Sequence, residues 1–186
     1  MQGSFANDAQ TAAFVFNVAT TEIVTVQSYG YAGGTFGATV VSAGGFAPNV
    51  TVFDGAGQEI GSDNGGHCGT TNTDPTTGNC DDPVFQNTYT PGQYTAVLSV
   101  WDNVSVDGTL ADGFVQDGNP GFTCGEFGLG GNFCDVTTAL GDQRTGNYAV
   151  AIVGADSFPS APEPATISLM LGAGVAALLA RRKFAS

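Results

Sequence analysis

The sequence predicts an all-β body, an antiparallel β-sandwich of jelly-roll-like kind, followed by a single C-terminal hydrophobic helix. Three observations carry that reading. Short runs of Phe, Tyr, Val and Ile with period-two alternation recur between stretches of Gly, Asn, Asp, Thr and Ser. No stretch of the body repeats apolar residues at helical spacing over several turns. The end of the chain changes character: residues 165–180 carry no charge and lead directly into Arg181-Arg182-Lys183. The predicted organisation is a body over residues 1–158 and a tail over residues 159–186.

Taken in order, residues 11–18 (TAAFVFNV) place Phe14, Phe16 and Val18 on one face. Residues 21–31 (TEIVTVQSYGY) follow after a very short break, so the two are expected to pair as antiparallel neighbours. Residues 33–45, bounded by Gly33 and Gly45, read as a loop or irregular edge. Residues 47–66 predict a strand, a turn at Asp54-Gly55-Ala56-Gly57 and a short returning strand around Glu59 to Ser62. A cysteine-containing loop spans 65–83. In residues 84–103 a turn at Thr90-Pro91-Gly92-Gln93 precedes a strong strand, with Tyr94, Ala96, Leu98 and Val100 alternating with Thr95, Val97, Ser99 and Trp101. GTLADGFVQ (108–116) is a weaker strand candidate. GNYAVAIVGAD (146–156) is nearly all apolar and so is expected to be central.

Charge is distributed unevenly. Of the four basic residues, three are Arg181, Arg182 and Lys183, so the body holds 16 acidic residues against Arg144 alone. A domain of that charge is repelled by nucleic acid, whose binding is dominated by Lys and Arg contacts to phosphate. Arg144 is expected to pair with a carboxylate, such as Asp142 or one across the sandwich. Cys68, Cys80, Cys124 and Cys134 lack the C-x2-C spacing of a zinc knuckle. Four cysteines permit three connectivities; local pairing, Cys68 with Cys80 and Cys124 with Cys134, is the economical one. Disulfides place the body in an oxidising compartment. The opening MQGSFANDAQ has neither a basic n-region nor an apolar h-region, so it is not itself a secretory signal peptide.

Among the residues able to carry chemistry, the aspartates near strand ends are the best placed for a hard cation. Asp63, Asp82 and Asp102 are the candidate Ca²⁺ ligands, although they depend on the fold to meet and no EF-hand loop pattern is present. Asp and Asn are also ordinary turn formers. His67 is the only histidine and precedes a cysteine expected to be disulfide-bonded. With no G-x-S-x-G and no nucleophile–base pair, no catalytic residue is assigned and the chain reads as a non-enzyme. Trp101 and the tyrosines at 29, 31, 89, 94 and 148 offer either core packing or a sugar-stacking platform. Asn49-Val50-Thr51 and Asn103-Val104-Ser105 match the N-glycosylation sequon.

The tail combines Pro162-Glu163-Pro164, an apolar segment and a terminal basic cluster, in that order. As a helix, its uncharged run would extend about 24 Å, short against a hydrocarbon core of roughly 30 Å. Arg181, Arg182 and Lys183 can snorkel and should stay on the cytoplasmic side, with the acidic body opposite. Gly172, Ala173 and Gly174 permit close approach by another helix. The prolines deny helix to the segment before the span. The tail resembles the PEP-CTERM protein-sorting signal. The body, through SYGYAGGT, GGFAPNVTVFDGAGQEIGSDNGG, YTPGQYTAVLSVWDN, ADGF and QRTGNYAVAI, resembles the β-sandwich domains related to bacterial pre-peptidase C-terminal domains. The resemblance implies an exported protein, inserted in the inner membrane as a precursor and processed by an exosortase, a membrane-embedded cysteine transpeptidase-like enzyme. It further implies a final place at the cell surface or in the extracellular matrix, in association with exopolysaccharide or biofilm. A calcium-dependent carbohydrate-binding or adhesive module is the alternative role for the body, and a secreted hydrolase is disfavoured.

Overall fold

The computed structural model describes residues 1–159, and these form two facing four-stranded antiparallel sheets. The strands are β1 (Gln2–Ser4), β2 (Ala12–Val18), β3 (Glu22–Ser28), β4 (Gly34–Phe36), β5 (Thr39–Val41), β6 (Pro48–Phe53), β7 (Glu59–Asp63), β8 (Val84–Tyr89), β9 (Gly92–Val100) and β10 (Asn147–Val153). One sheet has the order β1-β10-β3-β8 and the other β2-β9-β6-β7, while β4 and β5 form a separate two-stranded ribbon. The only helical pieces among the described residues are a 3-10 turn at Leu110–Asp112 and the four-residue α1 (Phe122–Gly125). The described body is therefore nearly all β and sandwich-like. The predicted helix over residues 165–180 lies outside the described residues, as do the PEP motif and the basic end.

Period-two patterning explains the core. Phe16 and Val18 on β2, Val24 and Val26 on β3, Val50 and Val52 on β6, Tyr94, Ala96, Leu98 and Val100 on β9, and Val150 on β10 meet in one buried cluster. The alternate residues of β9 are covered as well. Val97 packs with Phe53, Phe114 and Leu110 on the other side of its sheet, which is why β9 is buried along most of its length. As expected, β10 is central, flanked by β1 and β3, and β6 and β7 form a hairpin across Asp54–Gly57. Asp54 Oδ1 shapes that turn by accepting from the backbone of Ala56 and Gln58, each at 2.9 Å.

Three expectations need correction. Residues 11–18 and 21–31 do not pair with each other: β2 pairs with β9 from Ala12↔Leu98 to Val18↔Gly92, whereas β3 lies between β10 and β8 in the opposite sheet. The short break between them carries the chain across the sandwich. Both arrangements present the same apolar faces to one core, so the alternation alone does not distinguish them. Second, residues 108–116 hold the 3-10 turn instead of a strand. Thr109 caps it by accepting from Asp112 N, and Gly108 and Gly113 have φ of 73° and 75°, the left-handed region that breaks a strand. Third, Gly33–Gly45 is more regular than a loop, since it contains the β4–β5 ribbon.

Long loops are tied to this frame by two local disulfides, Cys68–Cys80 and Cys124–Cys134. Each closes a short loop, worth on the order of 2–3 kcal/mol. A second tie is Arg144, which is only 7 % exposed. It does not reach Asp142. Its guanidinium instead grips Asp74 through two hydrogen bonds of 3.1 and 3.3 Å, lies 3.7 Å from Asp135, and donates to the backbone oxygens of Gly45 and Tyr31. It also stacks on the Tyr31 ring at 4.1 Å. The Tyr31 hydroxyl donates to Asp135 at 2.8 Å, and burial raises that phenol to a pKa of about 12.

Two predictions follow from this hub. Replacing Arg144 with Met would leave Asp74 and Asp135 buried without a cation and should cost about 3–5 kcal/mol in denaturant unfolding with the disulfides intact. A loss under about 1 kcal/mol would mean the pair behaves like an exposed one. The second concerns pH. Burial alone would raise the Asp74 carboxyl, but the Arg144 hydrogen bond and the Thr77 backbone N–H outweigh it and hold the pKa below its ordinary 3.8. The stability due to ionised Asp74 is thus present above 3.8 and disappears as the pH falls through the lowered folded-state value. The stability difference between the natural protein and Asp74→Asn should be constant above that range and shrink below it; a difference independent of pH would contradict the assignment.

Candidate functional site

A polar cleft of about 480 Å³ opens at the C-terminal end of β3. Its floor is Gln27, Ser28, Tyr29 and Asp82, one wall is the start of β4 at Gly33 to Thr35, and the other is Thr70, Thr71 and Asn72. Each part has a local cause. The Thr70–Asn72 wall is a tight turn held by the Thr70 and Thr71 N–H groups donating to His67 O, beside the Cys68–Cys80 bridge. Asn72 Nδ2 donates to Gly33 O at 2.7 Å and joins the two walls. Gly34 sits at φ 152°, and a Cβ there would lie 2.5 Å from Asn72 Nδ2 and 2.9 Å from the Tyr29 ring. Glycine is required by that approach.

The cleft has a distinct chemistry. Amides and hydroxyls dominate, and the half-buried Tyr29 ring supplies an aromatic surface, stacked on Phe36 with centroids 5.1 Å apart. Burial raises the Tyr29 phenol, with a further push from the Asp82 carboxylate. Asp82 itself is 2 % exposed. It accepts from Ser28 Oγ at 2.7 Å, Tyr31 N at 3.1 Å and Ala32 N at 2.8 Å. Burial pushes its carboxyl above the ordinary value despite these donors. No lysine or arginine lines the cleft, because the single cation of the body's side chains, Arg144, is committed to Asp74 and Asp135.

The three candidate Ca²⁺ ligands occupy separate settings. Asp82 uses both oxygens on the segment entering β4. Asp63, at the end of β7, accepts from Gly65 N, Val84 N and the His67 ring, the last at 2.7 Å. Asp102 follows β9, exposed and at φ 71°. Among the described residues, no three His, Cys, Asp or Glu side chains are arranged to hold a metal ion. Three of the tyrosines are spent on packing: Tyr89 and Tyr94 in the main core, and Tyr31 with Ala32, Ala47 and Trp101 in a smaller cluster. Tyr148 packs against Phe5. Tyr29 is the one left facing the cleft.

Both sequons are structural. Asn49 is 2 % exposed and donates to Thr51 and Ser99, while Asn103 is fully buried, accepting from Gln116 N and donating to Ala9 O. Neither side-chain amide is accessible to a modifying enzyme in the folded body. Sequence reasoning passed over Thr70, Thr71 and Asn72, whose one signal was their position beside a cysteine in a loop of small polar residues.

Comparison with known proteins places one further feature beside this geometry. Residues 160–183 match the PEP-CTERM protein-sorting motif, a span that includes Pro162-Glu163-Pro164 and Arg181-Arg182-Lys183. The match is confined to the tail and lends no support to the resemblance between the body and pre-peptidase C-terminal domains. No curated protein and no solved structure matches the chain. The sorting motif implies an exported protein, anchored transiently in the membrane and processed by an exosortase. Among the described residues, no helix is long and apolar enough to cross a membrane.

Proposed function

We propose that the chain is the precursor of a non-enzymatic surface or extracellular-matrix protein whose body binds a neutral exopolysaccharide in the Tyr29 cleft. The observation that carries the binding step is the lining of that cleft: hydroxyls, amides, one aromatic face and the buried Asp82 carboxylate, with no cation. Sugar rings present apolar faces to aromatic rings and hydroxyls to side-chain amides, so this lining is complementary to them. The charge of the body selects further. Uronate-rich or phosphorylated polymers would meet 16 acidic residues and no free Lys or Arg side chain among the described residues, and would be repelled.

We read the strand order as a jelly roll, the finer form of the sandwich. Eight strands that pass repeatedly between the sheets β1-β10-β3-β8 and β2-β9-β6-β7, with only β6 and β7 consecutive in one sheet, support it, and double-sheet jelly rolls recur in lectin domains. That likeness is one of architecture, so the function rests on the cleft. Calcium is not part of this reading, since Asp82 and Asp63 already spend their carboxylates on protein donors.

Two measurements test the proposal. Intact mass of the protein from cells with and without the sorting enzyme should show loss of Arg181–Lys183 only when the enzyme is present; an equal, full-length tail in both would leave a plain anchor. A glycan array probed with the processed protein should give signal on neutral polysaccharides, undiminished by a chelator. Tyr29→Ala should weaken that binding about tenfold, the size of a lost stacking contact. Preference for acidic glycans, or indifference to Tyr29, would exclude the cleft as the site.

A further inference from the structure

The outer face of the β1-β10-β3-β8 sheet is polar along β3 and β8, where Gln86 Nε2 donates to Thr25 Oγ1 at 2.8 Å. It changes abruptly at the corner where the chain leaves the body. There Val153 is 66 % exposed, Ile23 59 % and Phe158 48 %. Val153 pairs with Thr25, two residues from Ile23, and Gly154 lies directly against the Ile23 backbone, so these side chains share one corner. Beside them an apolar groove of about 390 Å³ runs between Phe36, Ala151, Val153 and Phe158. Other apolar side chains are exposed elsewhere, Val40 and Leu140 among them, but here three share a corner beside an apolar groove. Such a concentration marks a place that meets another apolar phase.

The position of the patch identifies that phase. The sorting motif begins at residue 160, and the uncharged segment begins at Ala165. Seven residue steps separate Phe158 from Ala165, and a chain of that length reaches at most about 25 Å. With the segment in the bilayer and Arg181–Lys183 on the far side, the corner holding Phe158 cannot stand further than this from the hydrocarbon boundary. The polar headgroup layer fills several ångströms of that distance. We infer that the corner formed by Ile23, Val153 and Phe158 is a lipid-contact surface, which seats the precursor on the outer leaflet and holds Pro162-Glu163-Pro164 at the membrane interface for processing. The inference rests on the reading of the tail as membrane-inserted. The chemistry favours zwitterionic lipid, because Glu22 and Asp156 flank the corner and would be repelled by an anionic surface.

The test uses the full chain carrying Phe158→Trp, reconstituted into phosphatidylcholine vesicles with brominated acyl chains. Leu140→Trp serves as control, since Leu140 is 78 % exposed in the loop preceding β10, at the other end of that strand. After subtraction of Trp101 emission, the indole at position 158 should shift to the blue and be quenched by the brominated lipid, while that at 140 should not. Adding Val153→Asp to the first variant should abolish both effects while the protein still floats with the vesicles. Flotation with equal emission at 158 and 140 overturns the lipid contact and leaves the tail reading intact. Quenching that survives Val153→Asp also overturns it, because tethering alone would then account for the signal. A blue-shifted but unquenched indole at 158 assigns the patch to a protein surface instead of lipid. Failure to float overturns the tail reading itself.

Discussion

The body depends on one cation. Arg144 is the only lysine or arginine before residue 160, and the fold places it where three irregular segments meet. It binds Asp74 within the first disulfide loop, approaches Asp135 just after the second, and donates to the backbone at Tyr31 and Gly45, the two ends of the ribbon segment. Guanidinium is suited to that task. A planar fork supplies several donors at fixed angles, stacks on Tyr31 and cannot lose its proton. A lysine could satisfy one carboxylate but not this set of directions. The scarcity of cations elsewhere sharpens the point: with 16 carboxylates in the body, two are neutralised at its centre and most of the rest face water.

The cleft inherits its shape from this arrangement. One wall is a loop and the other is the start of the β4–β5 ribbon, outside both main sheets, and such segments hold a geometry only when something fixes them to the sheets. The Cys68–Cys80 bridge closes one wall on itself, and Asp74, within the same loop, is clamped by Arg144. Tyr31 is the link between hub and cleft: its ring and carbonyl contact Arg144, whereas its N–H donates to Asp82 on the cleft floor. Charge and shape therefore act together. The one buried cation organises the loops, and its burial removes positive charge from the surface on which a ligand would land.

Sequence patterning reveals the strands of this molecule more readily than their partners. The central position of β10 is legible because its residues are apolar on both faces, and the β6–β7 hairpin because Asp54 and Gly57 are turn residues with a specific hydrogen-bonding role. The pairing of β2 is hidden, because a strand that crosses the sandwich and one that folds back in its own sheet bury the same Phe16 and Val18. Asp82 is legible as a functional candidate only by its position near a strand end. Its actual role, accepting donors from Ser28, Tyr31 and Ala32, belongs to contacts between segments some fifty residues apart. The Arg144–Asp74 pair is hidden for the same reason, being separated by seventy residues. The expected carboxylate partner, Asp142 or one across the sandwich, is a distant one, Asp74, while Asp142 accepts from Asp135 N through its backbone oxygen.

The antiparallel pairing of β3 and β10 sets two chemically different sites beside each other on one sheet. The cleft gathers at the C-terminal end of β3, and the chain departs from the C-terminal end of β10, so the strands run from one site to the other in opposite senses. Phe36 on the β4–β5 ribbon stands between them, its ring stacked on Tyr29 toward the cleft and lining the apolar groove toward the exit. Val153 at the exit pairs with Thr25, and Ser28 in the cleft pairs with Val150. A body seated on a membrane by its exit corner would thus hold the cleft about three strand residues, roughly 10 Å, further from the surface. A polar cleft is matched to water, and an apolar corner is matched to hydrocarbon. The strand that joins the sorting tail to the frame therefore orients the molecule as well as completing its sheet.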